Sequence, residues 1–264
     1  MEEGKNMSFL QHLEELRWRL VKSSIAIVVC AGVLFYYQEW IMDNIFLKML
    51  DADFISFRLL CDLLGICTEP AAVEMQSMNV SGQFSYALWT SILGGLVCAS
   101  PFIFYQLWLF IKPALKENER NSMGGLVFYV SILFLLGILF GYFVVTPMTI
   151  QFFGNYRIST QIQNIFTIDS YMSMILSTVF YTGLFFLLPI GSYLLAKLGI
   201  ITAEFLRKYR KHAIVGVLIL AAVITPPDLI SQIIVAIPIA LLYEIGIITA
   251  RRVEKKREKN ELNQ

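Results

Sequence analysis

The chain has 264 residues, of which 57% are hydrophobic and 16% charged, and its mean hydropathy is +0.65. A water-facing surface cannot be built from so little polar material, so a soluble globular domain is excluded and an all-α polytopic membrane protein is expected. The net charge of +1 supplies no general basic field, and the two histidines, His12 and His212, stand apart without carboxylate spacing, so neither nucleic-acid binding nor a metal site is expected.

Met1 to Ser8 lack a basic stretch leading straight into an apolar one, so no secretory signal is expected and the first span should be retained. Over residues 8–20, Phe9, Leu13, Leu16 and Leu20 recur at helical spacing, with His12, Glu15, Arg19 and Lys22 turned away from them. Ser8 followed by Gln11 reads as a capping box. The segment predicts an amphipathic helix at the membrane surface, with Glu15 and Arg19 as an i,i+4 ion pair. The first span follows at about 21–40 and closes in an aromatic belt of Tyr36, Tyr37 and Trp40.

Residues 41–83 hold Asp43, Asp51, Asp53, Asp62, Glu69 and Glu74 against only Lys48 and Arg58, which makes them an acidic external loop. Their apolar content predicts an amphipathic helix resting on the outer interface. Cys61 and Cys67 lie here. Five intervening residues allow a disulfide by reach, whereas i,i+6 on a helix aims the side chains apart, so a bridge and two small apolar thiols both stay open.

The second span, 84–110, ends among Tyr105 and Trp108, and Lys112 marks the exit into water. Lys112-Pro113 halts the helix, and Pro113 suits the first position of a short polar helix from Ala114 to Arg120. The third span, 123–146, carries Gly137 and Gly141 at GxxxG spacing, for packing within the chain or against a partner, and Thr146-Pro147 should end it. An external segment, 147–169, leads to a fourth span, 170–197, which Pro189 should bend. A fifth span, 213–225, is short, rising about 20 Å against an apolar core of about 30 Å. A turn at 226–229 leads to a short sixth span, 230–248, and a basic tail, 250–264. Arg17, Arg19, Lys22, Lys112, Lys116, Arg120, the Arg207 to Lys211 group and the tail fall on one side of this arrangement, so both termini should be cytoplasmic.

Four motifs carry a family resemblance: SFLQHLEELRWRL from Ser8, SPFIFYQLWLFIKPALKENER from Ser100, ITPPDLISQ from Ile224 and IPIALLYEIG from Ile237. In this order, and across about Ser8 to Arg252, the chain closely resembles the TatC family, the multi-spanning subunit of the twin-arginine protein translocase. The resemblance implies one membrane domain of six spans arranged as a concave wall, in a bacterial inner membrane. It also implies single-span TatA- and TatB-type partners, other TatC copies, twin-arginine signal peptides of folded cargo as ligands, and export driven by the proton gradient. Glu15, Arg17, Phe110, Glu119 and Arg120 occupy positions that match the family's signal-peptide site. Without the resemblance, Glu117 and Glu119 read as a solvated charge run. One departure stands out: the family commonly carries a Glu in a FEVP-like context of the fourth span, and here Leu187 takes that place.

Chemically, carboxylates at the inner interface would hold two arginines through paired, charge-assisted hydrogen bonds, which lysine cannot reproduce. Asp228, Gln232 and Glu244 are further polar residues near the membrane, where ionisable groups are functional candidates by default, although Asp228 equally suits a helix cap. No GxSG-type nucleophile, HExxH or nucleotide-binding loop is present, so no enzymatic role and no cofactor are expected. The competing class is an ion-coupled small-molecule carrier. It needs charge near the bilayer midplane, which Leu187 removes, and a repeat between halves, which the motifs lack.

Overall fold

A computed structural model describes residues 9–51, 53–58, 74–114, 125–159, 161, 164–197, 199–224 and 229–262. Among the described residues, four helices are long and apolar enough to cross a membrane: Gln11–Tyr36, Gly82–Ile111, Leu126–Asn155 and Ile168–Lys197. They divide between two compact units, one of residues 1–38 and 87–132, the other of 39–86 and 133–264.

In the first unit, helix α1 (Phe9–Tyr36) is continuous, so the amphipathic segment and the first span are one element. No Pro or Gly interrupts it before Gly32, and its 28 residues rise about 42 Å, longer than the apolar layer, which leaves its polar first turns outside. It packs against helix α3 (Gly82–Ile111) through glycine. A Cβ on Gly95 would stand 2.8 Å from the Ala31 nitrogen and 2.9 Å from the Ile27 carbonyl oxygen, so the two backbones touch there. Leu34 lies over Gly94, while Arg19 reaches Gln106 and His12 reaches Phe110. Numbers rise on one helix as they fall on the other, so the pair is antiparallel. Within α3, Pro101 takes away the donor that the Val97 carbonyl would have had, and the Ser100 hydroxyl donates to that carbonyl at 2.7 Å.

The second unit begins with the short helix α2 (Gln38–Ile41), a π turn at Met42–Phe46 and a 3-10 turn at Leu47–Leu50. Sequence predicted an interfacial helix here. Instead Phe46, Met49, Phe54 and Phe57 are buried in one cluster with Ile150, Tyr171, Met172 and Ile175. The Tyr171 hydroxyl donates to the Phe46 carbonyl at 2.6 Å and Tyr142 to the Ile45 carbonyl at 2.7 Å, which pins the loop to the spans. Strands β1 (Glu74–Gln76) and β2 (Ile165–Thr167) pair in parallel, an addition to the all-helical expectation.

The third span also departs from its predicted end. After α4 (Leu126–Phe140) a π turn at Gly141–Val145 leads directly into α5 (Thr146–Asn155), with Pro147 in its first turn. Proline is tolerated at that position, and the Phe143 carbonyl four residues earlier accepts a hydrogen bond from the Ser56 hydroxyl. Gly137 and Gly141 pack inside the chain. Their added Cβ atoms would meet Gly183 and Phe186 at 2.8 Å, and Val179 at 2.9 Å.

Helix α6 (Ile168–Phe185) starts at a Thr167 cap, and α7 (Leu188–Lys197) follows a turn at Phe186-Leu187, so Pro189 marks a break between two helices. Helices α8 (Ala203–Lys208), α9 (Arg210–Ile224) and α10 (Leu229–Leu262) complete the unit. With 15 residues α9 rises about 22 Å, short of a full crossing. The basic tail is helical, because α10 runs without interruption to Leu262.

Candidate functional site

Polar side chains gather where α1 and α3 leave the apolar layer. On α1, His12, Glu15 and Arg19 are spaced i, i+3 and i+7 and so share a face; on α3, Gln106 and Phe110 are spaced i,i+4. Arg19 donates from Nε to Glu15 Oε1 at 3.0 Å and again from Nη2 to the same oxygen. Arg19 Nη1 reaches Gln106 Oε1 at 3.4 Å, and the Ser23 hydroxyl donates to the Arg19 carbonyl at 3.0 Å. The His12 ring stacks on Phe110, with centroids 4.2 Å apart and planes 15° from parallel.

The cluster is partly withdrawn from water. Gln106 is 6% exposed, and the Glu15 and Arg19 side chains are only 21% and 19% exposed. Both arginine contacts fall on Oε1. Glu15 Oε2 is buried and has no hydrogen-bond partner among the described residues. A buried carboxylate oxygen left in that state costs about 1–3 kcal/mol.

Arg17 does not join this cluster. Two residues beyond Glu15, it is turned roughly 200° around the helix, where it is exposed and lines an apolar concavity of about 580 Å³ with Leu13, Leu16, Leu20 and Val21. Glu119, Arg120, Asp228, Cys61 and Cys67 lie outside the described residues. Cys30 and Cys98, in the first two spans, are free thiols. Gln232 donates from Nε2 to the Leu218 carbonyl at 3.0 Å, tying α10 to α9. Glu244 pairs with Arg210 at 2.5 Å near the other end of the same two helices. Outside the spans, Arg58 beside Asp53 holds that carboxyl below its usual range, through a 2.7 Å hydrogen bond and its charge.

Sequence reasoning turned His12 and Arg19 to the polar face but did not give them this role, and it passed over Gln106. The signal for Gln106 was available: it is a lone amide inside the apolar, aromatic run from Phe102 to Ile111. Glu254 was also missed. It sits within the basic tail and accepts from the Ala203 amide at 2.7 Å, capping α8.

Fold and site define a multi-pass membrane protein with a partly buried, acid-bearing polar cluster between its first two spans. No group of metal-ligating residues occurs among the described residues. A family model described as Sec-independent protein translocase protein (TatC) matches residues 11–238. Similar chains include the Sec-independent protein translocase protein TatC of Blattabacterium sp. subsp. Periplaneta americana, 40% identical, with 97% of this chain and 99% of that one covered. The protein of the same name from Carboxydothermus hydrogenoformans is 36% identical, with 96% and 97% covered. A crystal structure of the twin-arginine translocase receptor TatC superimposes with a TM-score of 0.73 at 32% identity, covering 92% of this chain and 99% of that one. The chain belongs to the TatC family.

Proposed function

We propose that this chain is the signal-recognising subunit of a twin-arginine translocase, working in a bacterial inner membrane with both termini cytoplasmic. It binds Arg-Arg signal peptides of folded proteins and acts with TatA- and TatB-type single-span subunits and with further copies of itself, using the proton gradient. The observation that carries the reading is the buried Oε2 of Glu15, which has no hydrogen-bond partner among the described residues. Arg19 holds the carboxylate by its other oxygen, so the group arrives oriented and its remaining lone pairs point to one use. A peptide guanidinium would satisfy it with a charge-assisted hydrogen bond in a partly desolvated place, where such bonds gain strength over water. The planar fork of arginine can serve two acceptors at once, whereas lysine offers a single point charge.

The protein has no evident use for the same cluster as a solute carrier. Glu244 is engaged by Arg210 near the membrane face, and Leu187 leaves no carboxylate at the fourth-span position. The test is binding of a synthetic signal peptide to the purified protein in lipid nanodiscs. The Arg-Arg peptide should bind at least about tenfold more tightly than its Lys-Lys counterpart, a difference of about 1.4 kcal/mol. Equal binding of the two would remove the proposal.

A further inference from the structure

A second site lies in the other unit, between α8 and α10. Helix α8 is fixed against α10 by three contacts. The Ala203 amide donates to Glu254, the Tyr243 hydroxyl donates to the Leu206 carbonyl at 2.9 Å, and Ala196, Ala203 and Ala250 pack as a buried cluster. These contacts place Arg207, near the end of α8, beside the stretch of α10 where apolar sequence gives way to charge. Arg207, Arg251, Arg252 and Lys255 surround a concavity of about 260 Å³, with Ile247 and Ile248 in its lining.

All four cations are exposed, and none has a carboxylate partner among the described residues. Glu254 is committed to the Ala203 amide and Glu244 to Arg210, while Glu204, three residues before Arg207 on α8, is exposed to solvent. Four like charges around one hollow repel each other unless an anion sits among them. The hollow is smaller than the roughly 300 Å³ at which drug-sized pockets begin, and so suits a compact anionic group such as a phosphate ester.

The surface next to the hollow identifies the carrier of that group. Ile233, Ile237, Leu241, Ile245 and Ile248 are each about half exposed and are spaced i,i+4 and finally i,i+3, so they form one stripe along α10. From Ile233 to Ile248 the stripe rises about 22 Å and ends at the basic hollow. One leaflet of the apolar core is about 15 Å deep, so the stripe is long enough to lie along a whole acyl chain. A free phosphate or nucleotide has no use for such a surface. We infer that this pocket binds an anionic phospholipid, its phosphate among Arg207, Arg251, Arg252 and Lys255 and an acyl chain along the α10 stripe.

The test uses the purified full-length protein in detergent, with native mass spectrometry of adducts formed with phosphatidylglycerol or phosphatidylcholine. Phosphatidylglycerol should be retained selectively. Each surface cation contributes roughly fivefold to such binding, so the triple variant Arg207→Gln, Arg251→Gln, Arg252→Gln should weaken it on the order of a hundredfold. The variant Lys22→Gln, Lys112→Gln, Arg157→Gln loses the same charge elsewhere and should retain the lipid. The single variants Arg207→Gln and Lys255→Gln, each at an exposed position, should each lose about fivefold, and they report even if the triple variant does not fold. Excess inorganic phosphate should leave the lipid in place. Equal retention of both lipids, or equal loss from the two triple variants, would overturn the inference. Displacement by inorganic phosphate would overturn it in favour of a free-phosphate site.

Discussion

The contact at Gly95 brings the backbones of α1 and α3 together beside the polar cluster, and replacing the glycine with alanine tests whether that approach frames the proposed site. A Cβ there would lie 2.8 Å from the Ala31 nitrogen, 2.9 Å from the Ile27 oxygen and 3.0 Å from the Ala31 Cα. Ordinary contacts of this kind lie near 3.5–4.0 Å, so α1 must retreat from α3 by about 0.6 Å or more. All three obstructing atoms are backbone, and no rotamer change can relieve them. Overpacking of this kind costs about 1–3 kcal/mol, against which alanine recovers about 1 kcal/mol of helix propensity. Gly32→Ala is the matched control, because nothing lies within 4 Å of its added Cβ and only the propensity gain remains. The two variants should therefore differ by about 1–3 kcal/mol in stability, read as a lower unfolding temperature for Gly95→Ala in detergent. The same retreat should end the 3.4 Å contact between Arg19 and Gln106, which is already long, and so weaken Arg-Arg peptide binding. A Gly95→Ala protein as stable as Gly32→Ala, with unchanged peptide affinity, would refute the close packing of the first two spans as the frame of the site.

Ser56→Ala should lower stability by about 1–2 kcal/mol, because the Phe143 carbonyl four residues before Pro147 loses its hydroxyl donor; thermal unfolding measures this. Glu244→Gln should cost under about 1 kcal/mol and lose its effect in high salt, since the Arg210 side chain is over half exposed and that of Glu244 about a third. The Asp53 carboxyl titrates below its ordinary value of 3.8, so its pairing with Arg58 contributes fully above that pH and is lost as pH falls through the lowered value. Asp53→Asn should leave unfolding at neutral pH almost unchanged, given complete solvent exposure, and should remove this contribution to the acid limb of a stability-against-pH curve.

The long apolar runs, their aromatic and basic ends and a disturbance at Pro189, expected as a bend and found as a break between two helices, were legible, because each depends on chemistry within one segment. The Glu15–Arg19 pair was legible for the same reason, being four residues apart on one helix. What depended on distant partners was not. Phe46, Met49, Phe54 and Phe57 read equally well as a lipid-facing stripe, since periodicity reports an apolar face but not whether lipid or protein covers it. The continuation through Pro147 required both a π turn and a hydroxyl from Ser56, 87 residues from the carbonyl it reaches. Gln106 likewise gains its meaning only from the register of α1 against α3, with Arg19 also 87 residues away. Leu187 was recognised as a departure from the family pattern, and its place in the turn between α6 and α7 came only with the fold.

Glu15 is the group proposed to receive an arginine of the signal peptide. The direct measurement is the dissociation constant of an Arg-Arg signal peptide for the protein in nanodiscs, compared between wild type, Glu15→Gln and Glu14→Gln, with thermal unfolding followed in parallel. Glutamine preserves size while removing the charge, so Glu15→Gln should weaken binding by about 1.5–3 kcal/mol, on the order of ten- to a hundredfold, and should narrow the preference over a Lys-Lys peptide. The exposed Glu14 should tolerate the same change with little effect. Equal affinity of all three proteins for the Arg-Arg peptide, with the folded state intact, would contradict the assignment and reduce Glu15 to a surface ion-pair partner of Arg19.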